Sequence, residues 1–253
     1  MKKIVKPLII GNWKTTPATL KEALTFVKSL EKKCGAMKQK VHYYLAVADI
    51  FIPPLSALAS HGEIGSQNIS GTILGQATGL TTPSQIVSGG GAFTLLGHSE
   101  VRTRGESTDL LAKKVALSLQ SKLLTVLCVG ETTRDKEGKY LAELEDELKN
   151  TLAQVDRSLF ANLVIAYEPV WAIGAKNPAT VHECFEVVIA LRRALASLVG
   201  IEYAKKVSII YGGAVSEENA REFLEEGGVD GLLLGRSSQE VSSFSKILSS
   251  CFA

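Results

Sequence analysis

Short apolar runs recur along the chain, each closing on a glycine or polar residue and followed by a stretch of helical periodicity. The runs are Leu8–Asn12, His42–Ala48, Glu63–Gln67, Phe93–Leu96, Thr125–Val129, Leu163–Tyr167, Ser208–Tyr211 and Gly231–Leu234. Little alternation interrupts them, as expected of strands buried on both faces of a parallel sheet. Amphipathic segments lie between them: Leu20–Lys33, Thr108–Ser121, Leu141–Val155, Val181–Leu198, Glu217–Glu226 and Val241–Leu248. Thr180 with Glu183 three residues on reads as a capping box, Pro17 lies near the start of the first helix, and Ser216 precedes Glu217-Glu218 as a helix start. The segment around Ile86, broken by Gly89-Gly90-Gly91, gives the faintest helical signal.

Eight strand–helix units in 253 residues average about 30 residues each, the usual size of a βα unit. No linker or low-complexity tract divides them. The pattern predicts an α/β protein, a (β/α)8 barrel in one domain over residues 1–253. The rival is an open doubly wound sheet. That would want a glycine fingerprint after an early strand, and Gly11-Asn12-Trp13-Lys14 is not one.

A net charge of +2 excludes the strong field that nucleic acid or an anionic membrane surface would call for. An anionic small substrate must then be held by a local site. Lys2-Lys3 and Glu31-Lys32-Lys33 read as solvated surface. No run reaches the ~18 apolar residues of a membrane span, and Lys6 and Pro7 break the only apolar run near the start. Cys34, Cys128, Cys184 and Cys251 lack metal-ligand spacing, which predicts neither a metal nor a disulfide framework and suits a reducing cytoplasm.

The chemistry-bearing residues fall just after strand ends: Asn12 and Lys14, His98 and Glu100, and Glu168, with glycine turns after the seventh and eighth runs. In a barrel these all emerge on the carboxyl face and converge. A carboxylate such as Glu168 at the end of a buried strand is poorly solvated and gains basicity, which suits a general base. His98, facing the start of a helix, would stay neutral and donate a hydrogen bond to a developing oxyanion. Lys14 could fix an anionic substrate. Gly212-Gly213 and Gly235-Arg236 could turn backbone N–H groups on a phosphate. Taken singly, each could equally be structural: a paired glutamate, a core histidine, a surface lysine.

Five stretches together resemble the triosephosphate isomerase family: Gly11-Asn12-Trp13-Lys14, Leu96-Gly97-His98-Ser99-Glu100, Ala166-Tyr167-Glu168-Pro169-Val170-Trp171-Ala172-Ile173-Gly174, Tyr211-Gly212-Gly213 and Gly231-Leu232-Leu233-Leu234-Gly235. The resemblance implies a cofactor-free isomerase of triose phosphates. Glu168 would be its base, His98 its neutral electrophile and Lys14 its fixed cation, with Asn12 orienting and Glu100 supporting, a pairing already described for this family. It also implies phosphate held by backbone N–H groups of Gly174, Ala214, Gly235 and Arg236. A mobile lid would be hinged through Pro169, Trp171 and Ile173 and latched by Tyr211. The implied partner is a second copy, with Thr78 reaching toward the partner's Asn12.

The chain departs from the family pattern at four places. The lid reads Ala175-Lys176-Asn177-Pro178-Ala179, Ala214 replaces a serine whose hydroxyl bonds the closed lid, and Arg236 replaces a glycine. Leu80 and Val101 stand where the family often has a charge pair across the dimer, and losing both charges together can be neutral. Cys128 falls where the family often has a buried cysteine. Two alternatives remain at this level. One is another phosphosugar barrel enzyme, which would want a Schiff-base lysine or metal ligands at strand ends. The other is a catalytically reduced barrel kept for binding or structure.

Overall fold

The computed structural model describes residues 6–75, 77–173 and 178–252. Gly174, expected to help hold a phosphate, and the altered lid residues Ala175, Lys176 and Asn177 lie outside the described residues. Eight strands run β1 (Leu8–Asn12), β2 (Tyr43–Val47), β3 (Gly62–Ser66), β4 (Phe93–Leu96), β5 (Leu124–Val129), β6 (Leu163–Tyr167), β7 (Ser208–Tyr211) and β8 (Gly231–Leu234). All pair in parallel with their sequence neighbours, and β1 pairs with β8, closing a barrel. The open doubly wound alternative is thereby excluded. The helices are α1 (Leu20–Gly35), α2 (Ile52–Ser56), α3 (Pro83–Ser88), α4 (Ser99–Arg102), α5 (Thr108–Gln120), α6 (Lys139–Leu152), α7 (Val181–Val199), α8 (Ile201–Ala204), α9 (Ala220–Glu226) and α10 (Val241–Cys251).

The continuous apolar runs have a direct cause. Successive strand residues point to opposite faces, and here both faces are dry. On β6, Val164 and Ala166 join a cluster inside the barrel with Ile10, Leu95, Cys128 and Leu233. Leu163, Ile165 and Tyr167 face outward into a second, larger cluster beneath the helices. Closure requires a close approach at β8: a Cβ on Gly231 would lie 2.0 Å from the Leu8 carbonyl oxygen, so only glycine fits.

Capping chemistry sets the helix starts. Thr19–Glu22, Thr82–Gln85 and Thr180–Glu183 all form capping boxes, the second starting the short α3 that the sequence signalled only faintly. The expected helix start at Ser216 is corrected: α9 begins at Ala220. The Asn219 side chain accepts the Ser216 N–H and donates to the Ala214 carbonyl, closing a turn ahead of the regular helix, while the Ser216 carbonyl accepts the Ala220 N–H (3.1 Å). Glu31 also departs from its expected solvated place. It is mostly buried, ringed by Tyr43, Ser60 and His61.

Candidate active site

Glu168 follows β6 directly. Its N–H donates to the Val129 carbonyl (2.8 Å), which ties it to β5 and turns its side chain over the barrel's carboxyl end. It is 3% exposed. Burial raises its carboxyl above the ordinary range; the approach of His98, the Ser99 N–H and the Cys128 thiol offset this only in part. Gly212 leaves the carboxylate its space, since a Cβ there would lie 2.9 Å from Glu168 Cγ.

His98 caps the short α4. Its Nδ1 accepts the Glu100 N–H (3.2 Å), which leaves Nε2 as the ring nitrogen that can donate into the site. That Nε2 lies 3.4 Å from Glu168 Oε1. A small carbonyl compound between them would meet a base and a hydrogen-bond donor together.

Lys14 adopts a left-handed backbone (φ 56°), uncommon for a side chain of its kind. Two contacts hold it there. Asn12 Oδ1 accepts the Lys14 N–H (3.0 Å), and Gln67 Nε2 donates to the Lys14 carbonyl (2.6 Å). The ammonium reaches Glu100 Oε1 at 2.5 Å, and this hydrogen bond holds the Glu100 carboxyl below its usual range. Gln67 was not singled out from the sequence, although its place just after β3 was a usable signal.

The two glycine turns complete the rim. A Cβ on Gly235 would lie 3.9 Å from Lys14 Cε, which sets this turn beside the ammonium. Trp13 Nε1 donates to the Ser238 carbonyl (3.1 Å), fastening the turn after β8 to the loop after β1. Among the described residues, the N–H groups of Ala214, Gly235 and Arg236 donate to no backbone carbonyl.

Beyond Glu168 the chain turns through Pro169 into a 3-10 turn, Val170–Ala172. Trp171 Nε1 donates to Glu131 Oε1 (2.8 Å), which also accepts from Tyr167 Oη (2.9 Å) and Arg134 Nε (2.8 Å). The Arg134 guanidinium lies over the Trp171 and Tyr140 rings. Sequence reading missed this anchor because neither Glu131 nor Arg134 stands in a recognisable pattern with Trp171. Ile173, next along, is exposed. Tyr211 Oη is buried and finds no hydrogen-bond partner among the described residues.

The structure thus brings Asn12, Lys14, His98, Glu100 and Glu168 together at one mouth of the barrel. Thr78 and Leu80 instead lie in the exposed stretch between β3 and α3, and Val101 is half-buried on α4. A cavity of about 830 Å³ opens at the opposite mouth, between residues such as Lys6, Lys40, His42 and Lys206, away from this cluster.

A closed parallel barrel carrying a buried basic carboxylate, an imidazole and a lysine on its carboxyl face is an enzyme scaffold for acid–base chemistry on a small anion. Comparison with known proteins narrows the class. The triosephosphate isomerase family model matches residues 7–251. A triosephosphate isomerase of Thermoanaerobacter pseudethanolicus is 35% identical over 255 aligned positions, covering 96% of this chain and 98% of its own. One from Leptospira interrogans is 34% identical over 96% of this chain and 99% of its own, and one from Coprinopsis cinerea 33% over 90% and 91%. The chain belongs to the triosephosphate isomerase family.

Proposed function

We propose that this chain interconverts dihydroxyacetone phosphate and D-glyceraldehyde 3-phosphate through an enediolate. One observation carries the reading: Glu168, buried and raised in basicity, faces Nε2 of His98 at 3.4 Å, while His98 Nδ1 is occupied by the Glu100 N–H. Glu168 takes a proton from one carbon and returns it to the neighbouring carbon. His98 donates from Nε2 to the substrate oxygens as charge develops on them. The Lys14 ammonium, held by Asn12, Gln67 and Glu100, offsets the phosphate and enediolate charge.

The phosphate sits at the glycine turns, where the N–H groups of Ala214, Gly235 and Arg236 stand without backbone acceptors among the described residues. The family resemblance adds the N–H of the lid residue Gly174, which lies outside the described residues. Closure of that lid excludes water, which would otherwise promote phosphate loss from the enediolate. Tyr211 Oη, buried and without a hydrogen-bond partner among the described residues, is the donor that meets the lid near Ala179. Ala214 lacks the hydroxyl that would add a second latch, a difference of about 1 kcal/mol. Unchanged turnover and inhibitor affinity in Ala214→Ser would sink that point.

The working unit is a homodimer. Ile73, Leu74 and Leu80 are each more than half exposed on the stretch between β3 and α3, an apolar tip that a second copy would cover. Leu80 packs near the partner's Val101 there, and Thr78 approaches the partner's Asn12. Leu80→Glu should drive the protein to monomer in sedimentation; an unchanged dimer would remove this pairing. The cytoplasm suits a chain whose four cysteines are all free, three of them buried.

The first test is the initial rate on glyceraldehyde 3-phosphate, for the native protein and for Glu168→Asp. Fast native turnover with a loss of about 10²- to 10⁴-fold in the variant supports both reaction and base. An inactive native protein would favour a barrel kept only for binding.

A further inference from the structure

We infer that Arg102 is a positioning residue for the reaction proposed above, one guanidinium setting the gap between His98 and Glu168. Arg102 ends α4, four residues beyond the imidazole, yet its side chain folds back under the site. Its Nε donates to the Gly97 carbonyl (2.6 Å), the peptide from which His98 departs. Its Nη2 donates to the Cys128 carbonyl (2.9 Å) on β5. The same guanidinium pairs with Glu147 of α6, a largely buried carboxylate that also accepts the Gly130 N–H. The rigid fork therefore fixes the end of β4, which carries the electrophile, to the end of β5. There the Cys128 thiol lies against Glu168, and the neighbouring Val129 carbonyl accepts the Glu168 N–H.

Gly97 supplies an independent sign that this space is reserved. It holds a left-handed backbone (φ 70°), and a Cβ on it would lie 3.0 Å from Arg102 Nη2 and 3.1 Å from the Cys128 carbonyl oxygen. The glycine admits the fork that links the two strand ends. Neither Arg102 nor Glu147 is placed to touch substrate, so their effect on the reaction runs through where His98 points.

The test replaces the fork by a single cation, Arg102→Lys. A clamp role predicts kcat lower by about 10- to 100-fold, the effect of misplacing a reacting group by a fraction of an ångström to an ångström. KM and the affinity for inorganic phosphate should stay near native, because the glycine turns are untouched. The imidazole ¹⁵N shifts of His98 should move away from the fixed Nε2–H pattern. Native kcat in the variant, or a fall of kcat together with phosphate affinity and melting temperature, would overturn the clamp. If Arg102→Lys does not fold, Glu147→Gln leaves the fork its two carbonyls while loosening its far side. It should show the same kcat-only loss at smaller size, and no loss there counts against the inference. An inactive native protein would remove the isomerase reading alone: the His98 shifts still decide the clamp, and unchanged shifts in the variant refute it.

Discussion

Two glutamate–histidine pairs stand at opposite ends of this barrel, and their environments drive them apart. At the carboxyl mouth Glu168 meets His98 at 3.4 Å and accepts one backbone N–H, from Ser99, at 3.3 Å. At the amino end Glu31 meets His61 at 2.6 Å and accepts three further hydrogen bonds, from Tyr43 Oη, Ser60 Oγ and the His61 N–H. Burial pushes both carboxyls up. It prevails at Glu168, whereas at Glu31 the hydrogen bonds from His61, Ser60 and Tyr43 outweigh it and bring the group down to about 2. The imidazoles differ in the same sense: His98 Nδ1 accepts an N–H and leaves Nε2–H free to donate, whereas His61 spends its Nδ1–H on the carboxylate. A satisfied pair holds structure together. An under-supplied pair keeps its basicity for a substrate.

Removing the carboxylates in turn should separate those roles most sharply. Glu168→Gln should lower kcat by roughly a thousandfold or more, since no base remains to move the proton. Glu31→Gln should leave kcat near native in the same coupled assay. A comparable loss in both variants would erase the distinction.

The pH dependence of stability supplies the next division, with opposite signs at the two sites. For Glu31 the folded value of about 2 lies below the unfolded one, near 4.3. Its contribution is therefore present above about pH 4.3 and is lost as pH falls from there toward 2. Glu31→Gln should cost about 1.5–3 kcal/mol at neutral pH, the range for hydrogen bonds to a charged group, and should flatten the acid limb of the melting curve. For Glu168 the folded value is raised, so its contribution is present at low pH and is lost as pH rises through the folded value. Glu168→Gln should therefore raise the melting temperature at pH 7 and above, with little gain near pH 4. A variant that melts lower across the whole range would show that burial does not strain this carboxylate.

Why one pair was legible in the sequence and the other was not follows from where each lies. The barrel strands were readable because both faces of each are dry, which leaves runs such as Leu163–Tyr167 apolar throughout. Glu168 and His98 were readable because they interrupt those runs at strand ends, where a charged or polar group has few structural reasons to be. Glu31 sits in a helix beside Lys32 and Lys33, and its partners lie 12 to 30 positions away. Charge neighbours along the chain suggested water, whereas the fold surrounds it with donors. Arg102 and Arg134 were hidden in the same way: a long side chain can leave its own helix or loop and serve carbonyls or rings that only tertiary structure brings near. The misplaced start of α9 has a local setting: the Asn219 side chain ties back to Ser216 and Ala214 and holds the residues ahead of Ala220 in a turn.

The finest cut removes a single donor from the satisfied pair. Tyr43 is wholly buried, and its hydroxyl donates to Glu31 Oε1 at 2.5 Å. Tyr43→Phe keeps the ring and its edge-on contact with Phe244 while leaving Glu31 with three donors instead of four. With that donor gone, burial weighs more heavily and the Glu31 carboxyl should rise from about 2 toward the ordinary range. The expected cost is about 1–2 kcal/mol at neutral pH, less than for Glu31→Gln because the charge and the His61 bond survive. The acid step in stability should begin at the same pH, set by the unfolded chain, and end sooner as pH falls. Melting temperatures across pH 2 to 7 would read both effects. If the step keeps its native width, Tyr43 does not help hold the charge, and the contrast between the two ends would then rest on His61 and Ser60 alone.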